Sequence, residues 1–143
     1  MTGFSAQWLE LREPYDAAAR ENAALAALAE ALPAARPLHV VDLGSGTGAN
    51  LRFLAPRLGG SQRWRLIDDD PILLASARDR AAPEGVSVET LRHDLADPWA
   101  RPSMAGMDLV TASALLDLVD LRFVGWLADI VVAQRAALHL ALS

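Results

Sequence analysis

Short apolar runs and longer amphipathic stretches alternate along most of this chain. His39–Leu43 carries Val40, Val41 and Leu43 and predicts a first strand, and Ala49–Leu58 has helical spacing and stops at Gly59-Gly60. Arg63–Asp68 predicts a second strand. Asp70-Pro71 opens a helix that runs to Ala82, with the carboxylate as cap and the proline at the first helical position. Pro83-Glu84-Gly85 turns the chain, and Val86–Arg92 alternates as a third strand does. Asp94–Gly106 reads as a loop, Asp108–Ala112 as a fourth strand, Leu121–Gln134 as a helix and Ala136–Leu142 as a fifth strand. Ahead of all these, residues 1–37 predict a helical arm. Leu25, Leu28 and Leu32 form its apolar stripe, Pro14 suits a first helical turn, and Pro33 and Pro37 stop it.

Such alternation predicts an α/β fold: a Rossmann-like, doubly wound parallel sheet with right-handed crossovers. No repeat or linker divides the chain, so one domain is expected, an N-terminal arm (1–37) on a core (38–143). Ligands of such sheets bind at the carboxyl ends of the strands, where the winding reverses. The residues that close each strand are therefore the ones to read for chemistry.

Composition narrows the classes. With 143 residues, 52% hydrophobic and 22% charged, the chain has the makings of one globular domain. No window of about 20 residues is apolar enough to span a bilayer. Residues 1–13 lack the basic start and apolar core of a signal peptide, so a cytoplasmic protein with no membrane partner is expected. Cysteine is absent, which excludes disulfides, thiolate metal sites and cysteine nucleophiles. All 13 basic residues are arginines, which removes the P-loop lysine, Schiff-base chemistry and the catalytic lysine of many short-chain reductases. A net charge of −5 argues against broad affinity for nucleic acid.

The most informative stretch is Asp42-Leu43-Gly44-Ser45-Gly46-Thr47-Gly48, between the first strand and its helix. Glycines at alternate positions let the main chain turn sharply and approach a ligand without Cβ atoms in the way. Asp42 is the departure from a phosphate-cradling loop, because a carboxylate here favours a ligand with a cationic end. Asp68 closes the second strand, 20 residues after Gly48, a spacing that suits a carboxylate accepting from a ribose diol. Asp94 follows the third strand. Three carboxylates thus line one rim, with no basic residue in the glycine loop. That rim repels a dinucleotide pyrophosphate but accommodates a ribonucleoside bearing a sulfonium and an ammonium. Structural roles compete at several acids: Asp70 reads as the helix cap, Asp94 can cap a turn, and Asp108 reads as a locally paired strand-start residue.

Taken in order, Asp42-x-Gly44-x-Gly46-x-Gly48, Leu66-Ile67-Asp68-Asp69-Asp70-Pro71, Arg92-His93-Asp94-Leu95 and Met107-Asp108-Leu109-Val110-Thr111-Ala112-Ser113 resemble the motif set of class I S-adenosylmethionine-dependent methyltransferases. The resemblance covers Val40 to about Leu118. It implies S-adenosyl-L-methionine as cofactor, with S-adenosyl-L-homocysteine as product. Gly44, Ser45, Gly46 and Gly48 would pass along its methionyl part, with Asp42 supporting the loop and the amino group. Asp68 would hold the ribose hydroxyls, with Asp69 beside the adenosine. Asp94 would accept from the adenine amino group while the Leu95 N–H meets a ring nitrogen, and Ser113 would lie below the sulfonium where substrate enters. Family members usually continue past the fifth strand with a helix and an antiparallel hairpin. This chain stops at Ser143, so five strands without that hairpin are expected; a fragment, a naturally short form and an oligomer that covers the fifth strand's edge all fit that ending.

Methyl transfer needs alignment above all, and a general base only when the acceptor is protonated. After the fourth strand stands Ser113-Ala114-Leu115-Leu116, not the Asn/Asp-Pro-Pro-aromatic signature of amino-group DNA methyltransferases. A small molecule or protein is therefore the expected acceptor, and no catalytic residue is assigned. His39, His93 and His139 read as structural, and Asp117 as either substrate-facing or solvated. Tyr15 and Arg20 are candidates to close over the cofactor. Trp8, Trp64, Trp99 and Trp126 read as packing residues, with Trp99 also placed to border the pocket. Two alternatives stand beside this reading. One is an NAD(P)-dependent oxidoreductase, since Gly44-x-Gly46-x-x-Ala49 also satisfies the relaxed dinucleotide pattern. The other is a non-catalytic binding subunit of the same fold.

Overall fold

β1 (Leu38–Leu43) is the centre from which the rest is built. Five of its six residues are buried and His39 is half-buried, as befits a strand covered on both faces. In the computed structural model, which describes residues 5–18, 22–97, 99, 101–113 and 120–141, it is followed by α3 (Ala49–Leu58), β2 (Gln62–Asp68), α4 (Pro71–Asp79), β3 (Val86–Arg92), β4 (Leu109–Ser113), α5 (Leu121–Gln134) and β5 (Ala137–Ala141). Two helices, α1 (Ala6–Ala18) and α2 (Asn22–Ala31), precede it. The strands are parallel and lie in the order β3-β2-β1-β4-β5. The chain winds outward from β1 to β3, then returns to β4, so its direction reverses between the carboxyl ends of β1 and β4. The expected doubly wound Rossmann-like sheet is the one found.

Period-two alternation sorts the core into two layers. Leu38, Val40, Trp64, Leu66 and Leu109 face one way and pack with Leu51 and Leu54 of α3, Leu74 of α4 and Leu28 of α2. Val41, Leu43, Ile67, Val110 and Ala112 face the other way. They meet Phe123 and Leu127 of α5, and Leu95, Met104 and Met107 from the β3–β4 connection. The buried Gln62 is fully used: its amide donates to the Ala55 and Gly59 carbonyls at the end of α3 and accepts from the Trp64 indole N–H at 2.7 Å.

Several boundaries differ from the sequence reading. The arm is two helices, and Pro14 lies inside α1, not in a first turn. The start is set upstream by the Ser5 hydroxyl, which accepts from Trp8 N–H at 3.1 Å as a cap does. α4 stops at Asp79, short of Ala82, with Arg80 extended. The Arg80 side chain reaches Glu10 and Glu13 of α1, and Ala82 precedes a proline, which disfavours helix there. β4 begins one residue late because the Asp108 carboxylate accepts from His39 N–H at 2.9 Å, the local pairing expected of it.

The α4 cap gives a direct test of the fold. Asp70 accepts from Ile72 N–H at 2.9 Å and Leu73 N–H at 3.3 Å. Replacing it with alanine leaves those donors to water and is expected to cost about 1 kcal/mol. A chemical-denaturation midpoint lowered without a change in slope is the expected result; an unchanged midpoint would show the cap to be idle.

Candidate functional site

The turn from β1 into α3 is possible only because of its glycines. Gly44, Gly46 and Gly48 all adopt positive φ, at 67°, 55° and 86°, a region that costs other residues about 1–2 kcal/mol. Each sits at a bend, and two amides tie the loop down: Ser45 N–H donates to the Ile67 carbonyl at 3.0 Å, and Gly48 N–H to the Ser45 carbonyl at 3.0 Å.

Asp68 joins this loop to the next. Its Oδ2 accepts from Gly46 N–H at 2.8 Å and its Oδ1 from Asp70 N–H at 3.0 Å, and the residue is 2% exposed. The Asp68 carbonyl accepts from His93 N–H at 2.9 Å, so the ends of β1, β2 and β3 are joined through one residue. Each carboxylate oxygen retains a further acceptor site for a ribose hydroxyl. Asp42 lies beneath the loop at 0% exposed, where its Oδ1 accepts from the Asn50 amide at 3.2 Å. Ser45 Oγ is also buried and has no hydrogen-bond partner among the described residues. An unsatisfied buried hydroxyl beside an open-turning main chain is what a polar ligand in this loop would complete. The residues present therefore fit an adenosyl cofactor with a cationic methionyl end.

The remaining predicted residues fall at the same rim. Asp69 is half-buried at the head of the β2–α4 turn, and Ser113 closes β4, also half-buried. Asp94 is exposed and its Oδ1 accepts from Ala96 N–H at 2.9 Å, so it does cap a turn, while Leu95 is buried. Asp117 and Arg20 lie outside the described residues. Tyr15 is 79% exposed, and Leu9 is instead the α1 residue that meets the loop: its Cδ1 stands 3.4 Å from where a Cβ on Gly46 would be. Trp99 is 94% exposed and is no packing residue, whereas Trp64 is core. Trp8 stacks under Arg12 and Trp126 tilts against Phe123.

Three cooperating groups escaped the sequence reading. Arg52 brings a guanidinium against the glycine loop after all, donating to the Thr47 carbonyl at 2.6 Å. Its charge is matched by Glu13 of α1, which accepts from Nε at 2.8 Å and Nη2 at 2.6 Å, a bidentate pair. Arg101 donates to the Leu95 carbonyl and stacks on Phe123 and Trp126 at 5.3 and 5.2 Å, bracing the loop after β3 against α5. Asn50 reaches from α3 to Asp42. Arg52 and Glu13 lie 39 residues apart, and Arg101 and the rings it stacks on belong to different elements, so no local spacing signals these pairs.

Residues 40–139 match the family model described as a methyltransferase domain, and the chain belongs to that family. No curated protein sequence matches it. Among solved structures it is similar to an S-adenosylmethionine-dependent methyltransferase from Mesorhizobium loti, at 24% identity and a TM-score of 0.50, covering 93% of this chain and 50% of that one. It is also similar to an arsenic(III) S-adenosylmethionine methyltransferase from Chlamydomonas reinhardtii, at 16% identity and a TM-score of 0.55, covering 97% and 49%. A third, the plantazolicin methyltransferase solved with SAH, has 12% identity and a TM-score of 0.51, covering 95% and 56%. These likenesses concern the fold, and the chain spans about half the length of the structures it matches.

The Glu13 pair gives α1 a pH dependence. The hydrogen bond from Arg52 lowers the Glu13 pKa from 4.5; burial opposes this, and the charges of Arg52 and Arg80 add to it. A carboxylate depressed on folding contributes stability that is present above its unfolded pKa and lost as pH falls through its folded one. Amide protection factors over α1, which divide out the intrinsic pH dependence of exchange, are therefore expected to stay high from pH 8 to about 5 and to fall in more acid solution. Glu13→Gln should lower them at neutral pH, a loss of about 1–2 kcal/mol, and flatten the acid response. Exchange indifferent to the substitution would show that α1 is held by other contacts.

Proposed function

We propose that this chain binds S-adenosyl-L-methionine on its glycine loop and transfers the methyl group to a small-molecule or protein acceptor. The observation that carries the reading is the pair of buried carboxylates, Asp42 and Asp68, set around a left-handed glycine loop whose nearest cation, Arg52, is paired with Glu13. Buried negative charge in a low-dielectric wall attracts a ligand cation and repels a diphosphate. Membership of the methyltransferase domain family supports the same reading.

When bound, the cofactor supplies an electrophilic methyl on a sulfonium, a good leaving group for in-line displacement. The chain's part is alignment. Asp68 keeps acceptor capacity toward the ribose hydroxyls while fixing the loop. Gly44, Gly46 and Gly48 let the main chain lie along the methionyl segment, with Ser45 Oγ available to it and Asp42 behind its ammonium. Asp94 and the Leu95 N–H face the adenine edge, with Asp69 beside the adenosine, and Ser113 stands where the acceptor approaches. Holding the reactants in line and excluding water is the principal source of rate in such a transfer.

The partner and location readings belong to this proposal too. The net charge of −5 disfavours nucleic acid as acceptor. A cytoplasmic setting is part of the proposal; among the described residues no helix is long and apolar enough to cross a membrane. A second copy covering β5, whose described partner in the sheet is β4, is one association the proposal allows.

Titration calorimetry with S-adenosylmethionine, S-adenosylhomocysteine and NADH tests the cofactor. Micromolar-range binding of the first two and none of the third is expected; NADH binding without a response to S-adenosylhomocysteine would overturn the proposal. Transfer of labelled methyl into a metabolite or protein extract by the isolated chain is the expected second result, and cofactor binding without any transfer would favour a non-catalytic subunit.

A further inference from the structure

Asp68 is held by main-chain amides, and among the contacts of Asp42 is a row of side chains that leads away from the crevice. Strand register aligns Asp42 on β1 with Thr111 on β4, and Thr111 with His139 on β5. Asn50, in the first turn of α3, spans the first two: its Nδ2 lies 3.2 Å from Asp42 Oδ1 and 2.9 Å from Thr111 Oγ1. Thr111 Oγ1 lies in turn 3.2 Å from His139 Nδ1. Asp42 and Thr111 are 0% exposed and Asn50 3%, so water does not substitute for these partners.

The sense of the chain turns on the His139 tautomer. A primary amide has two hydrogens on one nitrogen, and both are directed, one to the carboxylate and one to the hydroxyl. A threonine hydroxyl has one proton and two acceptor sites. When Nδ1 is the unprotonated nitrogen of an Nε2–H imidazole, Thr111 accepts from Asn50 and donates to His139, and polarity runs outward from Asn50 to the sheet edge. Without an acceptor at residue 139 the Thr111 proton is free to turn toward Asn50. That proton then crowds the Asn50 N–H, which loses its hydroxyl acceptor and no longer holds Asp42 Oδ1 in one orientation.

From this row we infer that His139 is a positioning residue for the ammonium end of the bound cofactor, acting through Thr111 and Asn50 on the Asp42 carboxylate. The inference rests on the cofactor reading above and extends it to a residue on β5, the strand farthest from the glycine loop on that side of the sheet. Only the amino-acid part of the ligand senses Asp42, so the adenosine part should be indifferent to the row.

Calorimetry with S-adenosylhomocysteine and 5′-methylthioadenosine, which lacks the amino-acid end, separates the two. Thr111→Val and His139→Leu are expected to weaken S-adenosylhomocysteine about ten-fold, roughly 1.4 kcal/mol, and to leave methylthioadenosine within about two-fold. His139→Asn, which places an amide acceptor near the lost Nδ1, and Thr111→Ser, which keeps the hydroxyl, should restore most of the affinity. Equal weakening of both ligands, or unchanged S-adenosylhomocysteine binding in Thr111→Val, overturns the positioning role alone. A wild type that binds neither ligand overturns the cofactor reading with it. Independently of any ligand, imidazole ¹⁵N shifts should report the Nε2–H tautomer at His139 in the wild type and its loss in Thr111→Val; an Nδ1–H tautomer in the wild type overturns the inference directly.

Discussion

One buried carboxylate holds the crevice in shape. Stripping water from a charged group is costly unless hydrogen bonds replace the hydration, and Asp68 receives them from the main chain of two different loops. Gly46 can offer its amide only with a left-handed backbone, and Asp70 can offer its own only where the chain leaves β2 to start α4. Loop conformation, helix start and charge burial therefore stand or fall together. The same atoms that order the loop keep open lone pairs, so the group that builds the site is also equipped to contact what enters it.

The two layers of the core divide the labour around this point. Beneath the glycine loop, α3 and α4 pack on Leu66 and Trp64, while α1 is fastened across them by Glu13. On the opposite face, α5 anchors the loop after β3 through Arg101, Phe123 and Trp126. A rim made of connections is ordinarily the least rigid part of an α/β sheet, because loops lack the packing of the elements they join. Here charge-assisted bonds on both faces supply the missing constraint, and they do so with arginine, whose planar fork fits carboxylates and carbonyls and stacks on rings. That use gives the lysine-free composition a structural meaning.

Much of this was legible in the sequence because it is local. Val40-Val41 beside a glycine-rich turn, Asp70-Pro71 before an apolar helix, and the alternation of Val86–Arg92 each determine structure over a few residues, and α3, α5 and β3 have the limits expected of them. The position of Asp68 at a strand end was readable for the same reason. What could not be read was set by distance along the chain. Pro14 suggested a helix start, but the Ser5 hydroxyl, upstream of it, had already provided one. Arg52 and Glu13, or Asn50 and Thr111, become neighbours only once β1, β4 and the arm are in place, and a periodicity of 2 or 3.6 carries no information on such pairs. Trp99 misled by its type: an aromatic residue favours burial on average, and this one lies 94% exposed on the β3–β4 connection.

The polar row through Asn50 shows why the parallel sheet suits this site. In a parallel ladder, residues on neighbouring strands stand side by side on the same face, so Asp42, Thr111 and His139 share one line without any bend in the backbone. That line runs under the first turn of α3, which carries Asn50. A polar residue placed at the corresponding register on any added strand therefore has a physical route to the crevice, across distances at which direct contact is impossible. Apolar residues at those positions would pack as well and would leave Asp42 with fewer constraints. Buried polar groups of this kind contribute little net stability, because their desolvation offsets their hydrogen bonds. Their effect is to select one orientation of the carboxylate among several, and a site that recognises charge depends on orientation more than on strength.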